Sequence, residues 1–344
     1  MATEFYTLAQ LVQRQKGIED YGKIFNDIEF RTPLLDMIPS RLIGDKHSVT
    51  VSMKTSIPMP QSVPYNAGMK PRHSSIESRS FDTYPYGDLC AIDEKMIRLM
   101  PGSAGDMMRE EMQDAIEGFK CNMERSLFYG SLISDKGVKG LMDMMGDFMT
   151  TSADPNHNTT ETREHSGTSV WIVCTQSDKM HMIYTGSNAL AFGPEFRSLV
   201  KRPCADGVTM GDMPAVCRSF YVAPGFVMRN DCAAVRLVNV SDDHPLTDSL
   251  LARMVELLPN GLTPSAVIMN KHALATLQKS RAAQFTYQKK TSGSTPYASL
   301  PTDYEGLPIK VSDALINNET LVNLGKLKGE LDIHLEQGAS TIKR

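Results

Sequence analysis

The side chains best suited to chemistry in this sequence are two pairs that could each contribute ligands to a metal ion. His181 with Cys174, and Cys204 with Cys217, offer the imidazole and thiolate groups that zinc prefers. Neither pair has the short paired spacing of a zinc site, such as C-x-x-C or H-E-x-x-H. We therefore predict no metal site.

Motifs for phosphate binding and nucleophilic catalysis are also missing from the sequence. It contains no GxxxxGK[ST] and no GxGxxG loop, and GKLKG at 325–329 lacks the required spacing. It has no GxSxG nucleophile elbow, and Ser187 in TGSNA fits a turn instead. No histidine stands in a recognisable proton relay. We predict no catalytic residue and no cofactor.

The charge balance argues against a dedicated nucleic-acid-binding protein. Lys and Arg number 36 against 40 Asp and Glu, which gives a net charge of −4. The basic pairs Lys201-Arg202 and Lys289-Lys290 lack interleaved aromatic residues on which bases could stack. We interpret these pairs as loop charges.

The composition is that of an ordinary soluble globular protein. Hydrophobic residues make up 41% and charged residues 22% of the 344 positions, enough for two compact domains. The six cysteines form no C-x-x-C pair, so we expect free thiols in a reducing compartment. The N-terminus has no secretory pattern, and no apolar run reaches membrane-spanning length.

A proline-rich segment at 48–84, here called the ribbon, has the pattern of two long paired strands. SVTVSMKTSI at 48–57 alternates as a strand does, and SSIESRSFDTY at 74–84 forms a second strand-like stretch. The prolines between them cannot lie inside a central sheet. An isolated two-stranded ribbon is marginal in water, so it must rest either on its own domain or on a neighbouring subunit.

The clearest helix covers 103–129 and is here called the spine helix. Its apolar residues recur at helical spacing, and Gly130 stands where a C-cap glycine belongs. At about 1.5 Å per residue, some 25 helical residues make a rod of about 38 Å. One apolar stripe on so long a helix suits packing against a sheet. The stripe consists of Met108, Met112, Ile116, Phe119, Met123 and Leu127.

The sequence pattern in the second half of the chain predicts a mixed α/β domain built from short strands. An apolar run at 266–269 changes to helical spacing, and Gly306 then leads into a strand at 307–311. Before this, we expect a hairpin from 169–175 and 182–185, irregular structure at 186–232, a strand at 233–240 and a helix at 247–259.

The N-terminal segment is less defined by its pattern. Residues 3–16 have nearly helical spacing, whereas 17–36 are polar with isolated apolar positions. This region is either an arm that lies on another surface or an ordinary helix packed on its own domain.

Taken in order, these parts resemble the Hong Kong 97-type fold of tailed-phage capsid proteins. More narrowly, the chain is similar to the major capsid proteins of short-tailed phages of the epsilon-fifteen type. Each matching stretch is weak alone, but the series follows the expected order across most of the chain. The stretches are MKTSIP at 53–58, PYNAGMKP at 64–71, ERSLFYG at 124–130, SVWIVCT at 169–175, IYTGSNA at 183–189, RNDCAAVRLVNV at 229–240, AVIMN at 266–270 and GLPIKVSDAL at 306–315.

This resemblance implies an α+β fold with a defined order of parts. An N-terminal arm (1–36) precedes an extended β-ribbon, or E-loop (48–84). A peripheral domain (37–47 and 85–146) contains the spine helix, and a mixed axial domain covers 147–330. The C-terminal segment (331–344) is expected to return to the peripheral domain.

The resemblance also implies a structural role. The subunit would self-associate into pentamers and hexamers of an icosahedral shell that encloses double-stranded DNA and contacts it non-specifically. Portal, scaffolding and cement proteins would be its partners, and assembly in the bacterial host cytoplasm would place it in the virion capsid, with no membrane and no catalysis. The implied contacts between subunits are Lys54, Pro58, Tyr65, Asn66, Gly68, Lys70 and Arg72.

Two other classes of protein remain open from the sequence. One is an encapsulin-like shell or scaffold protein of the same fold with a different cargo. The other is a phage-encoded α/β enzyme whose ribbon covers a substrate site as a lid. Particle size distinguishes a shell from a monomeric enzyme.

Overall fold

The computed structural model describes most of the chain, with gaps at both ends and in several loops. The described residues are 31–59, 62–69, 71, 73–99, 104–134, 136–154, 167–186, 190–203, 209–288, 300–319, 322 and 342–343. The helix predicted at 3–16 lies outside them. So do Lys70, Arg72, Ser187, Cys204, the pair Lys289-Lys290 and the segment 325–329.

Short strands and helices alternate along the described chain. The helices are α1 (Pro33–Met37), α2 (Glu94–Leu99), α3 (Ala104–Tyr129), α4 (Leu141–Met144), α5 (Asp248–Leu257) and α6 (Lys271–Gln288), with 3-10 turns at Gly130–Leu132 and Asp147–Met149. The strands are β1 (Ser40–Leu42), β2 (Ser48–Ile57), β3 (Ser75–Asp82), β4 (Tyr86–Asp93), β5 (Thr150–Ser152), β6 (Thr168–Val173), β7 (Met180–Tyr184), β8 (Ala191–Phe192), β9 (Phe196–Pro203), β10 (Met210–Val222), β11 (Pro224–Met228), β12 (Ala234–Val240), β13 (Ala266–Met269), β14 (Asp303–Tyr304), β15 (Leu307–Val311) and β16 (Ile342–Lys343). No helix of the described residues combines the length and the hydropathy needed to cross a bilayer.

A sheet of six strands in the order β14-β15-β13-β6-β12-β5 forms the centre of the larger core. β6 lies antiparallel to β12 and β13, whereas β13 pairs with β15, and β12 with β5, in parallel. Every residue of β6, β12 and β13 is buried, because these strands are largely apolar on both faces and both faces are covered. The strands predicted at 233–240, 266–269 and 307–311 are confirmed.

Helices cover the two faces of this sheet. On one face Trp171 packs against Phe128 of α3, with the ring centroids 5.7 Å apart. On the other face Ile172 shares a second core with Leu251 of α5 and Leu277 of α6. The C-terminal end of the spine helix therefore packs on the sheet of the 147–330 region.

The predicted hairpin between 169–175 and 182–185 is wrong. β6 lies between β12 and β13 in the six-stranded sheet, whereas β7 lies between β1 and β11 in a separate three-stranded sheet. Both strands are buried and pair only with strands distant in sequence. Their closeness along the chain therefore carried no information about their partners.

The prediction of irregular structure at 186–232 is also wrong. This region contains β8 to β11, including the 13-residue strand β10. One edge of β10 pairs with β4, and the other edge pairs first with β9 and then with β8. Pro214 lies one residue beyond the β4 pairing, where that edge of β10 is open and no ladder donor is needed. Strand β10 was not predicted because its proline and its mixture of small and polar residues interrupt the alternation of apolar and polar positions.

The spine helix is confirmed as α3, and Gly130 follows it with φ +51°, the left-handed conformation expected of a C-cap glycine. Five members of the predicted stripe pack in hydrophobic clusters of the protein, namely Met108, Met112, Phe119, Met123 and Leu127. Ile116 is also half-buried but belongs to no hydrophobic cluster of the described residues, whereas its neighbour Ala115 packs against one. A 3.6-residue period leaves both positions near the edge of one stripe.

Candidate assembly surface

The ribbon is confirmed as an antiparallel pair of β2 and β3, with Val49 opposite Phe81 and Lys54 opposite Ile76. Its side chains are largely serine, threonine and charged residues. Pairs of hydroxyl groups join the strands, with Oγ atoms 3.2 Å apart at Ser52 and Ser78. The ribbon is thus held by its backbone ladder and by polar pairs, without an apolar core of its own.

The base of the ribbon packs on its own subunit, which is one of the two alternatives that the sequence left open. Phe81 forms a small core with Ile183 and Val227, flanked by Val49 and Val51. These side chains face the three-stranded sheet that contains β7 and β11. The base packs in this way because the alternating face of β2 and β3 is apolar at this end of the ribbon.

An ion pair also fixes the base of the ribbon to the body of the subunit. Arg79 Nη1 lies 2.7 Å from Asp231 Oδ1, and Nη2 lies 3.1 Å from Oδ2, so the guanidinium binds the carboxylate through two parallel hydrogen bonds. These hydrogen bonds to Asp231 raise the pKa of Arg79 above its usual value. The ribbon strand β3 is therefore tied to the turn between β11 and β12.

The distal part of the ribbon has no apolar core and no ion pair of this kind among the described residues. Its one further attachment there is β16, which pairs antiparallel with the end of β2, with Ile342 opposite Ile57. Tyr65 is fully exposed, Met69 is 80% exposed and Ile76 is 63% exposed. The turn is closed by a hydrogen bond from the Ala67 N–H to the Pro64 carbonyl at 3.2 Å. Large apolar side chains in water at the end of an anchored ribbon are typical of an interaction surface.

The residues proposed from the resemblance as contacts between subunits lie mainly on this distal part. Lys54, Tyr65, Asn66 and Gly68 are exposed, and Pro58 is half-buried. Asn66 has φ +64°, which places it in the left-handed region at the tip. A Cβ on Gly68 would meet no atom within 4 Å. The structure therefore brings these five residues to one projecting element.

A second exposed apolar surface lies on the sheet of β4, β10, β8 and β9. Tyr221 and Phe196 are 60% and 43% exposed, and Leu89 stands opposite Ser219 in the same sheet. The Tyr221 ring lies so close to Gly87 that an added Cβ would be 2.8 Å from its Cδ1. This close approach explains why glycine occupies that position of β4.

Buried polar groups fix the segment that follows β15. Arg236 Nη2 lies 2.8 Å from Glu319 Oε2, and both side chains are about nine-tenths buried. The Tyr129 hydroxyl donates to Glu319 Oε1 at 2.6 Å, and the Ser169 hydroxyl donates to Oε2. The guanidinium also lies over the Trp171 ring, 5.5 Å from its centroid. This network joins the spine helix, β6, β12 and the 312–319 segment.

Cys174 and His181, which were considered as metal ligands, are both buried. Cys174 is buried in the larger core, and burial raises the pKa of its thiol to about 11. His181 is buried, and burial lowers its pKa. Among the residues that the structure describes, no group of three or more His, Cys, Asp or Glu side chains is placed to hold a metal ion. Cys90, Cys121, Cys174 and Cys217 are free thiols.

Sequence reasoning missed the ion pair between Arg79 and Asp231 and the polar network around Glu319. The members of the first pair are 152 residues apart, and Tyr129 and Glu319 are 190 apart. No local pattern marks such pairs. The only signal was an arginine at 236 inside an apolar strand, where a buried cation requires a partner.

A sequence comparison places the chain within a described family. The family model named Major capsid protein GP7 matches residues 21–323, which is most of the chain. A search of curated proteins finds no match.

Comparison with solved structures gives a consistent result for the fold. A chain of bacteriophage Epsilon15 is similar with a TM-score of 0.69 at 16% identity, covering 94% of this chain and 100% of that one. This confirms the predicted α+β fold of the Hong Kong 97 type. A chain of the bacteriophage JBD30 capsid has a TM-score of 0.45 at 9% identity, covering 90% of this chain and 99% of that one. The SrpI encapsulin of Synechococcus elongatus PCC 7942 has a TM-score of 0.42 at 10% identity, covering 69% and 97%.

Proposed function

This chain belongs to the Major capsid protein GP7 family, and we propose that its copies join into a shell mainly through the distal ribbon. The protein is a structural, shell-forming subunit of a phage capsid and is part of the virion. In the proposed arrangement, the base of each ribbon stays on its own subunit. The distal part, between Lys54 and Ile76, lies on a neighbouring copy.

The observation that carries this proposal is the contrast between the two ends of the ribbon. The base is fixed by the ion pair from Arg79 and by the buried ring of Phe81. The tip exposes Tyr65 and Met69 to water. Covering these side chains would stabilise the assembly by about 25 cal/mol for each Å² of apolar surface removed from water. A fixed base also means that little conformational freedom is lost when the tip binds.

The residues that we propose as contacts with the neighbour are those named from the resemblance. Five of them are on the described ribbon, and two lie outside the described residues. The set carries positive charge and apolar surface but no acidic group, so it fits a partner surface with carboxylates beside an apolar patch. The members are Lys54, Pro58, Tyr65, Asn66, Gly68, Lys70 and Arg72.

The finer organisation of the particle follows as part of the same proposal. Copies form pentamers and hexamers that enclose double-stranded DNA, with portal, scaffolding and cement proteins as partners, and assemble in the bacterial cytoplasm. The net charge of −4 supports weak, non-specific contact with the DNA, because a strongly basic inner surface would hold the packaged DNA tightly. The division into an arm, a ribbon, a peripheral domain and an axial domain belongs to this proposal as well.

Particle size tests the proposal. The purified full-length chain, or its co-expression with the other capsid genes of its phage, is examined by negative-stain microscopy and light scattering. We expect closed particles of uniform size. A monodisperse species of 38.1 kDa under all assembly conditions would favour the enzyme with a ribbon lid. Closed particles that contain protein cargo instead of DNA would favour an encapsulin-like role.

A further inference from the structure

Glu124 is a fully buried carboxylate at the meeting point of three separate parts of the chain. It lies on α3, and its two oxygens accept the N–H groups of Leu34 at 3.1 Å and Leu35 at 2.7 Å, in α1. The hydroxyl of Ser312, just after β15, donates to Oε1 at 3.0 Å. One side chain thus joins α1, the spine helix and the 312–319 segment.

The charge of this carboxylate has no paired cation among the described residues. The titratable groups that interact with it are Asp36 from α1 and Cys121 from α3, and Arg125 and Asp313 act on that thiol. Asp313 has its own partner, because Lys271 Nζ lies 3.1 Å from its Oδ1. Within the described part of the chain, the negative charge of Glu124 is therefore stabilised by three hydrogen bonds and by no ion pair.

Three hydrogen bonds do not compensate for the loss of water around an ionised carboxylate at this depth. Burial, with a smaller contribution from the negative charge of Asp36, raises the pKa of Glu124 from 4.5 to about 7. The hydrogen bonds from Leu34, Leu35 and Ser312 act in the opposite direction and are outweighed. The neutral form is thus the one that the closed junction prefers.

We propose that Glu124 is a proton-operated clasp that holds the beginning of α1 on the spine helix. In the neutral form it keeps α1 against α3 and Ser312. Ionisation favours movement of α1 away from this junction, because the charge then gains hydration. Solvent already reaches the edge of the junction through a groove of about 530 Å³ whose lining includes Arg31 and Lys120.

The direction of the pH dependence follows from the two states. The closed junction has the raised pKa of about 7, and an open, hydrated Glu124 returns to 4.5. The clasp is therefore most stable below the lower value, loses stability as the pH rises between the two, and changes little above pH 7. Within this window, opening becomes up to about tenfold more frequent per pH unit, and up to about 300-fold in total.

Hydrogen exchange of peptides covering 31–37 measures this opening directly. The full-length protein is held in one assembly state from pH 4.5 to pH 8, and the rates are corrected for the intrinsic effect of pH. We expect the protection of Leu34 and Leu35 to fall across that window and to level off above pH 7. A wild-type protection that is flat across the window overturns the proposal.

Variants distinguish an effect of Glu124 on the protection of α1 from a general effect of pH on the protein. Glu124→Gln cannot ionise, so its protection should lose the pH dependence. Glu110→Gln changes a partly buried carboxylate of the same helix that does not line this groove, and it should keep the wild-type profile. If Glu124→Gln does not fold, Ser312→Ala removes a hydrogen bond that lowers the pKa and should move the upper limit of the window to higher pH. A wild-type profile in Glu124→Gln, or an unmoved limit in Ser312→Ala, contradicts the clasp.

Discussion

Arg79 of the ribbon and Asp231 of the turn between β11 and β12 are held together by two parallel hydrogen bonds of 2.7 and 3.1 Å. The pair joins the projecting ribbon to the body of the subunit across 152 residues of sequence. It lies beside the small core around Phe81, so a polar and an apolar contact fix the same end of the ribbon. The direction in which the ribbon leaves the subunit is therefore determined before any neighbour binds.

The first prediction concerns this ion pair. Asp231→Asn should lower the free energy of unfolding by about 1 kcal/mol or less, because both side chains are about a third exposed. It should reduce the yield of well-formed particles much more, since every copy must present its ribbon in one direction. Thermal melting of subunits and particle counts by microscopy measure the two effects. Glu77→Gln removes only a 3.5 Å contact of the same guanidinium and serves as the control.

The second prediction concerns the ribbon tip. Residues 58–73 can be replaced by Asn-Gly, a two-residue turn that keeps the register in which Ser56 pairs with Ser75. The shortened protein should fold and melt as the wild type does, because the exposed tip contributes little to the subunit. It should form no closed shells. Normal particles from this variant would show that the tip is not an assembly contact.

The third prediction concerns the face of the spine helix that packs on the sheet. Leu127 is fully buried beside Phe128, so Leu127→Ala should lower the free energy of unfolding by about 2–5 kcal/mol. Ile116→Ala, at the edge of the stripe, should cost about 1 kcal/mol. Denaturant unfolding of the dissociated subunit gives both values. Equal losses would mean that the helix is rotated from the orientation described above.

The fourth prediction concerns the buried ion pair of Arg236 and Glu319. Arg236→Met leaves the Glu319 carboxylate buried without its cation and should lower the free energy of unfolding by about 3–5 kcal/mol. Lys201→Met removes a partner of Asp212 at a similar distance, 3.0 Å, but on the surface, where 71% of the lysine side chain is exposed. That loss should be less than about 1 kcal/mol. Comparable losses in the two variants would contradict the structural role of the network.

The elements that sequence patterns predicted well are those with a strong local signal. The spine helix has apolar residues at regular spacing and a glycine at its end, and β12 and β13 are short apolar runs. Strand β10 was missed because its period-2 pattern is interrupted by Pro214 and by small residues. That strand is stabilised by pairing on both edges, which no local window contains.

The sequence predicted the ribbon itself, but it did not predict the contacts that attach the ribbon to its own subunit. Alternation and prolines predicted a ribbon without a core, and the exposed Tyr65 and Met69 agree with that outline. The packing of Phe81 on Ile183, and the partner of Arg79, depend on contacts between distant segments. Such contacts are set by the tertiary fold, and no residue type near the ribbon specifies them.

The central claim is that the distal ribbon is completed by a neighbouring subunit. Hydrogen exchange of residues 48–84, measured in assembled shells and in dissociated subunits, tests it most directly. We predict that the backbone amides between 58 and 74, beyond the strands paired within the subunit, exchange quickly in the free subunit and slowly in the shell, while those at 79–82 are protected in both. Equal protection of the distal amides in the two states would contradict the claim.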